Sequence, residues 1–226
     1  MKKKIAVIGL GEFGFALMKS LHEDGHEVIA IDKNMDIVED AVDFSTTAVC
    51  LDSTDEKALR AQGLEDMDAV ILASAENLET IIVTSDILKR MEVKDISVRY
   101  RTELHVRILE MMGITKIFNP EERAAKNMAE EFSHKSIRMS AIITDEYRIA
   151  EVMLPKIFYS KTLVESKLKE DYNLNVVTIL RKINGDSHGR EKIIGIPRAD
   201  TLLLENDLLI IFGTHRDIDR FLEITE

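Results

Sequence analysis

Ile5-Ala6-Val7-Ile8-Gly9-Leu10-Gly11-Glu12-Phe13-Gly14 is the stretch that decides how this chain is read. Four apolar residues in a row indicate a buried strand, and the glycines at 9, 11 and 14 fit G-x-G-x-x-G. A helical stripe follows, with Phe13, Leu17, Met18 and Leu21 on one face, and Gly25 is placed to end that helix. Glu27-Val28-Ile29-Ala30-Ile31 then reads as a second buried strand that ends in Asp32. Strand, tight turn, helix, strand and acid together form the context of a dinucleotide-binding fingerprint. Gly9 permits the sharp exit from the strand, Gly11 has no Cβ to keep a phosphate away, and Gly14 lets the helix pack closely on the sheet. Unpaired N–H groups and the helix dipole attract phosphate at such a helix start. Asp32 is placed to accept hydrogen bonds from both hydroxyls of a ribose. The alternative is a βαβ unit that keeps its glycines for turn geometry and binds nothing.

Outward from this unit the alternation continues. Met35 to Phe44 reads as a helix, Thr47 to Leu51 as a strand, and Glu56 to Gln62 as a helix with Thr54 as its N-cap and Gly63 as its stop. Asp68 to Ala73 is a strand, Leu78 to Met91 a helix, Ile96 to Arg99 a strand, Glu103 to Met112 a helix, and Lys116 to Phe118 a strand. Short apolar strands alternating with helices predict an α/β fold with a Rossmann-like, doubly wound parallel sheet. In such sheets the ligand lies across the C-terminal ends of the strands. Here those ends carry Gly9 and Gly11, Asp32, Asp52, Ala73 and Ser74, and Arg99.

Asn119-Pro120-Glu121-Glu122 is a strong helix start, with Asn as the cap, Pro at the first position and acids in the first turn. The helix carries a stripe of Ala124, Ala125, Met128, Ala129 and Phe132, suited to packing on its own domain or on a partner subunit. From Ser136 the pattern changes. Arg138 to Thr144 and Arg148 to Met153 read as strands around an Asp145-Glu146 turn, and Thr162 to Leu168 as a short helix. Val176 to Arg181 reads as a strand, Asn184 to Arg190 as a polar loop, Asp207 to Gly213 as a strand, and Asp217 to Leu222 as a closing helix. This predicts a small α+β C-terminal domain over 136–226 after a nucleotide-binding domain over 1–135, with the boundary near Ser133 to Ile137.

Composition narrows the function. The chain has 226 residues, with 41 acids against 30 bases and a formal net charge of −11. That balance argues against nucleic acid and against an anionic membrane surface as partners. The single Cys, Cys50, allows no internal disulfide and reads as a small buried residue in a reducing compartment. Met1-Lys2-Lys3-Lys4 before an apolar run has the look of a signal peptide, but Glu12 interrupts that run and the glycines have a better explanation. No apolar run approaches the roughly 20 residues that span a bilayer, so the chain is expected in the cytoplasm. His22-Glu23-Asp24-Gly25-His26 matches H-E-x-x-H in letters, yet Gly25 falls where the helix must end, so the two histidines would not share a helix face. The remaining histidines are scattered and read as surface positions.

With these residues in view, the chain resembles the regulatory gating subunits of the Trk/Ktr potassium-uptake systems, built from regulator-of-potassium-conductance (RCK) domains. The resemblance covers essentially the whole chain. It rests on Ile8 to Gly14, His26 to Asp32, Leu51-Asp52-Ser53-Thr54-Asp55-Glu56, Asn119-Pro120-Glu121, and Gly195-Ile196-Pro197-Arg198 through Gly213. It implies a homo-oligomer of dimers assembled into a ring, an octamer, seated on the cytosolic side of a membrane-embedded potassium-translocating subunit. Adenine nucleotide (ATP or ADP) or NAD(H) would bind the first domain and change the shape of the ring, with a divalent or monovalent cation as a further ligand of the nucleotide site. The helix from Pro120 would cross to the dimer mate. Cyclic di-AMP binds the C-terminal domain of some relatives.

The resemblance assigns Asp32 to ribose, Asp52 and Ser53 to adenine, Ala73 and Ser74 to the cleft wall, Arg99 to phosphate, and Glu121 to a cation. The nucleotide-binding set it implies is Gly9, Gly11, Glu12, Phe13, Gly14, Asp32, Lys33, Asp52, Ser53, Ala73, Ser74 and Arg99, with no catalytic residue. Two positions depart from relatives. ATP-responsive relatives often have Arg where Glu12 stands, and a carboxylate beside phosphates is repulsive unless a cation intervenes, which leaves NAD(H), ADP or a metal-bridged nucleotide open. Lys169 stands where cyclic di-AMP-binding relatives have Arg, and Lys cannot copy a bidentate fork. The rival readings are a small NAD-dependent oxidoreductase, which would need an acid/base group beside the nicotinamide, and a soluble nucleotide sensor with another partner.

Overall fold

The computed structural model describes residues 2–74, 77–133, 137–182 and 191–224. The chain divides into two compact units, Met1–Pro120 and Glu121–Glu226.

The first unit holds six strands, β1 (Lys4–Ile8), β2 (Glu27–Asp32), β3 (Thr47–Cys50), β4 (Ala69–Leu72), β5 (Ile96–Arg99) and β6 (Lys116–Phe118). They form one sheet in the order β3-β2-β1-β4-β5-β6, with every pairing parallel. Five helices join them, α1 (Glu12–Glu23), α2 (Met35–Ala41), α3 (Glu56–Arg60), α4 (Leu78–Arg90) and α5 (Glu103–Met111). Successive strand residues point to opposite faces, so each face builds its own core. Ile5, Val7, Val28 and Ala30 pack with Met18 of α1 and Ala41 of α2. Ala6, Ile8, Ile31, Val70, Leu72 and Val98 pack with Leu59 of α3, Ile81, Ile87 and Leu88 of α4, and Leu109 of α5. Burial on both faces explains why these strands read as continuous apolar runs rather than alternating ones. The doubly wound sheet expected from the sequence is therefore present, and its order reverses between β1 and β4.

Several details differ from the sequence reading. The N-cap of α3 is Asp55, whose carboxylate accepts from the amides of Lys57 and Ala58, and not Thr54. Thr54 is already committed, because both its amide and its hydroxyl donate to Asp52 Oδ1. Cys50 is exposed rather than buried, because β3 is an edge strand. His105 is 9% exposed, on the inward side of α5, so it is not a surface residue. Gly25 does end α1: it takes a φ of +85°, open only at strain to other residues, and its amide donates to the His22 carbonyl. His26 lies beyond that stop, where its Nδ1 accepts from the Lys3 amide at 3.2 Å. The H-E-x-x-H letters therefore do not describe one helix face.

The second unit begins with α6 (Pro120–Ser133). The division of the chain falls at the start of this helix, whereas the sequence reading grouped it with the first domain. Its stripe is exposed: Ala124, Ala125 and Ala129 face solvent, Met128 is 55% exposed and Phe132 83%. Five strands follow, β7 (Ile137–Ile142), β8 (Tyr147–Met153), β9 (Asn175–Lys182), β10 (Glu191–Ile193) and β11 (Leu208–Thr214). They pair antiparallel in the order β10-β9-β11-β8-β7. Helices α7 (Leu168–Tyr172) and α8 (His215–Leu222) complete the unit. Phe158, Tyr172 and Phe221 meet in its core with ring centroids 5.5–6.2 Å apart.

The helix expected over Thr162 to Leu168 is a turn. Glu165 accepts from both the amide and the hydroxyl of Thr162, and Lys167 takes a φ of +50°, which breaks the helical path until Leu168. The loop expected over Asn184 to Arg190 and the start of the domain at Ser136 lie outside the described residues. Among those described, no helix is long and apolar enough to cross a membrane.

Candidate functional site

The glycine turn is built by contact. At Gly9 the φ is +89°, and a Cβ there would sit 2.6 Å from Ser74 Cβ and 2.8 Å from the Ser74 amide nitrogen. At Gly14 a Cβ would fall 1.9 Å from the Gly9 carbonyl oxygen, so only glycine lets α1 come this close to the end of β1. A Cβ at Gly11 would meet nothing within 4 Å, which leaves open space over the turn for a ligand. Gly11 caps α1 without any side-chain hydrogen bond, and the first amide to find a backbone partner inside the helix is that of Phe15, on the Gly11 carbonyl. The preceding amides of the first turn are those a phosphate meets at a helix start.

Asp32 ties the second strand to this turn. Its Oδ2 accepts from the Leu10 amide at 2.7 Å, and its Oδ1 accepts from the Asn34 amide at 2.9 Å. A carboxylate offers about four lone-pair directions, so each oxygen keeps capacity for a ligand hydroxyl. Asp52 is shaped in a similar way at the end of β3. The Thr54 amide and hydroxyl, and more weakly the charge of Lys33, hold its carboxyl below the usual carboxylate range. Ser53 is 9% exposed, and its hydroxyl lies 2.9 Å from the buried Thr84 hydroxyl of α4. Thr84 also donates to the Ser53 carbonyl at 3.2 Å. Arg99 reaches back from β5, where one guanidinium nitrogen donates to the Ala73 carbonyl at 3.2 Å and the group lies 5.5 Å from the centre of the Phe13 ring. Phe13 in turn meets Phe118 at 5.6 Å between ring centroids.

Asp32, Asp52, Ser53 and Arg99 border one cavity of about 710 Å³ at the C-terminal ends of the strands. That size falls within the roughly 300–1,000 Å³ usual for cofactor pockets. Gly9, Gly11, Asp32, Lys33, Asp52, Ser53, Ala73, Ser74 and Arg99 line it. Glu12, Phe13 and Gly14 stand at the same turn but do not form part of its wall, and Glu121, in the other unit, is not among the lining residues. The sequence reading missed the contribution of α4, whose Asn77, Glu79, Thr80 and Val83 line the cavity with Asn34, Ile37, Leu51 and Thr54. Asn77 caps α4 by accepting from the Glu79 amide, a local signal for where the helix starts but not for its place on the cavity wall. Among the described residues no three His, Cys, Asp or Glu gather in a metal-binding cluster.

Comparison with known proteins gives the same two-part division. Residues 5–120 match the family model of the TrkA-N domain, and residues 148–225 that of the TrkA-C domain. The chain is 34% identical over 221 residues to Ktr system potassium uptake protein C of Bacillus subtilis, covering 98% of this chain and 96% of that protein. It is 31% identical over 219 residues to Ktr system potassium uptake protein A of the same organism, covering 97% and 95%. Among solved structures, the GsuK channel bound to NAD shares the fold at a TM-score of 0.66 and 17% identity over the whole of this chain. This chain spans 40% of the length of that channel chain.

Proposed function

The chain belongs to the TrkA family that includes the Ktr potassium uptake proteins, and from that membership we propose that it is the nucleotide-sensing regulatory subunit of a Trk/Ktr-type potassium transporter. The observation that carries the sensing part is the cavity at the switch point of the parallel sheet, where an open glycine turn faces two acids on neighbouring strand ends, Asp32 and Asp52. In this reading Asp32 holds a ribose through the capacity its two amide bonds leave free. The helix start at Gly11 to Phe13 receives phosphate, with Arg99 beside it. Asp52, Ser53 and the α4 residues Thr80 and Val83 enclose the base. An adenine nucleotide or NAD(H) is the ligand class, and the protein performs no chemical step on it.

A ligand gates only through its preference for one assembly shape over another. The exposed apolar stripe of α6 supports packing against a second copy, and a ring of such dimers is the assembly we assign, with eight copies as the stoichiometry to test. The assembly acts on the cytosolic side of the membrane through an ion-translocating partner.

Two measurements test it. Calorimetric titration of the nucleotide-free protein with ATP, ADP, NAD⁺ and NADH should show binding that Asp32→Ala removes. Potassium flux through a co-expressed Trk/Ktr-type membrane subunit should depend on this chain, and flux indifferent to its presence would refute the gating role.

A further inference from the structure

The two sides of the cleft are held differently. On the β3 side, the loop after the strand is tied to α4, where the fully buried Thr84 hydroxyl lies 2.9 Å from the Ser53 hydroxyl and donates to the Ser53 carbonyl. On the other side stands β6, three residues long, at the edge of the sheet and paired with β5 alone. A short edge strand has few backbone bonds to break, so it shifts at low cost. Arg99 of β5 lines the cleft and is the register partner of Phe118, the last residue of β6. Its guanidinium lies 5.5 Å from the centre of the Phe13 ring, near the start of α1. Phe13 meets Phe118 at 5.6 Å, with the rings tilted by 47°. Asn119 follows Phe118, and then Pro120 opens α6 where the chain leaves the first unit. One run of contacts therefore joins a cleft-lining cation to the start of α6.

We propose that Arg99, Phe13 and Phe118 form a switch that carries occupancy of the phosphate end of the cleft to the start of α6, with Phe118 as the residue that positions Asn119 and Pro120. The inference rests on the nucleotide-cleft reading above and adds the route by which that site is read out. At its present position the Arg99 guanidinium touches the Ala73 carbonyl, at 3.2 Å, and the Phe13 ring. Phosphate received at the start of α1 competes with both for the guanidinium. A guanidinium–phosphate pair joins two ions, often through two parallel hydrogen bonds, and is stronger than a bond to a carbonyl. As Arg99 turns to the phosphate, Phe13 loses the cation over its face. Packed rings do not compress, so Phe13 and Phe118 move to a second arrangement together. Pro120 has a fixed φ, so rotation about that bond does not absorb the shift of Phe118, and the first turn of α6 reorients. The hydroxyl tie between Ser53 and Thr84 directs the movement to the β6 side of the cleft.

The test pairs calorimetric titration of the full chain, freed of nucleotide, with amide hydrogen exchange over residues 120–129 of α6, using ADP and NAD⁺ as ligands. In the wild type a saturating ligand should change exchange there by about fivefold or more. Phe118→Leu keeps an apolar side chain without the ring. It should bind within about threefold of the wild type, while the ligand-dependent change in α6 falls to about twofold or less. Phe118→Tyr restores the ring and should respond as the wild type does. Phe44→Leu removes a different aromatic contact of α1, that of Phe15 with Phe44, and should also leave the response intact. If Phe118→Leu does not fold, Phe118→Met takes its place. Binding without any change in α6 of the wild type would overturn the proposal, as would a Phe118→Leu response equal to that of the wild type. Either result leaves the nucleotide cleft standing. Loss of affinity in Phe118→Leu would make Phe118 a support of the cleft and would overturn the switch as well. A folded protein that binds neither ligand would remove both readings.

Discussion

Asp32 and Asp207 are both carboxylates at strand ends, one in each unit, and their surroundings give them opposite roles. Asp32 closes β2, accepts one backbone amide on each oxygen, and faces a cavity with lone pairs to spare. Asp207 precedes β11 and is fully buried. Arg181 Nε and Nη2 donate to its two oxygens at 2.8 Å each, and the Leu204 amide adds a third bond at 2.8 Å. That pairing also raises the affinity of Arg181 for its proton. A saturated, buried carboxylate holds structure, and a half-saturated one beside open space is available to a ligand. The two sheets differ in the same sense. The parallel sheet collects its polar strand ends on one side around a cavity, whereas the antiparallel sheet ties Arg148 to Asp219 and Arg138 to Glu191.

The contrast is easiest to break at Asp207. Replacing it with Ala leaves the partly exposed Arg181 guanidinium with the Leu202 carbonyl as its remaining acceptor and the Leu204 amide without its carboxylate partner, and should cost the second unit about 2–3 kcal/mol. Denaturant titration of the full chain should show an early transition, and a loss below about 1 kcal/mol would mean that the pair is dispensable. Gly14→Ala comes next. The new methyl would meet the Gly9 carbonyl, so the first unit should lose about 1–3 kcal/mol, and nucleotide affinity should fall with the distorted turn. Unchanged melting of that variant would show that α1 can slide away from β1 freely.

Asp32→Ala should act mainly on the ligand. Losing hydrogen bonds to a charged acceptor should weaken nucleotide binding by about 2–3 kcal/mol, or roughly 30- to 150-fold. The loss in stability should be smaller, since the Leu10 and Asn34 amides lie near open space where water can replace the carboxylate. A stability loss with unaltered binding would reverse the roles assigned to Asp32 and Asp207.

The smallest effect is that of pH. Asp52 in the first unit and Asp217 in the second both have their carboxyl held below the ordinary range, Asp52 by the Thr54 amide and hydroxyl, Asp217 by the Thr214 hydroxyl and the Asn173 amide group. A depressed folded-state value means that the stabilisation is complete above the unfolded value, near pH 4, and is lost as pH falls through the folded value. Both sites are open to solvent, so the acid-side drop in midpoint should be modest, and Asp52→Asn should flatten the part that belongs to the first unit. An acid limb with the same slope in that variant would locate the titration elsewhere.

How far the sequence could be read follows from where the information sits. The parallel sheet was legible because its strands are short apolar runs bounded by Gly9, Asp32, Gly63 and Gly113, each a local signal. Asp32, Asp52, Ala73, Ser74 and Arg99 were legible for the same reason, as each ends a strand and the topology gathers strand ends. The wall that α4 supplies was not, because Glu79, Thr80 and Val83 reach the cavity only through the packing of a helix whose own pattern says nothing about its neighbour across the cleft. Thr54 misled because the Asp52 carboxylate competes for it three-dimensionally, and Cys50 because an apolar run does not reveal that its strand lies at a sheet edge. In the second unit the turn at Thr162 to Lys167 was misread because a Glu165 side-chain bond and a left-handed Lys167 replaced the helix that the apolar spacing suggested.

The sequence alone determined the dinucleotide fingerprint, the alternation that requires a parallel sheet, and the change of pattern that announces a second unit. These are properties of periodicity and of glycine, proline and capping residues, which act over a few positions. The tertiary structure decided that nine separated residues of the expected set line one cavity, that α4 closes its wall, and that Asp207 is saturated while Asp32 is not. Those outcomes depend on which groups distant parts of the chain bring within hydrogen-bonding reach, and no local pattern carries that.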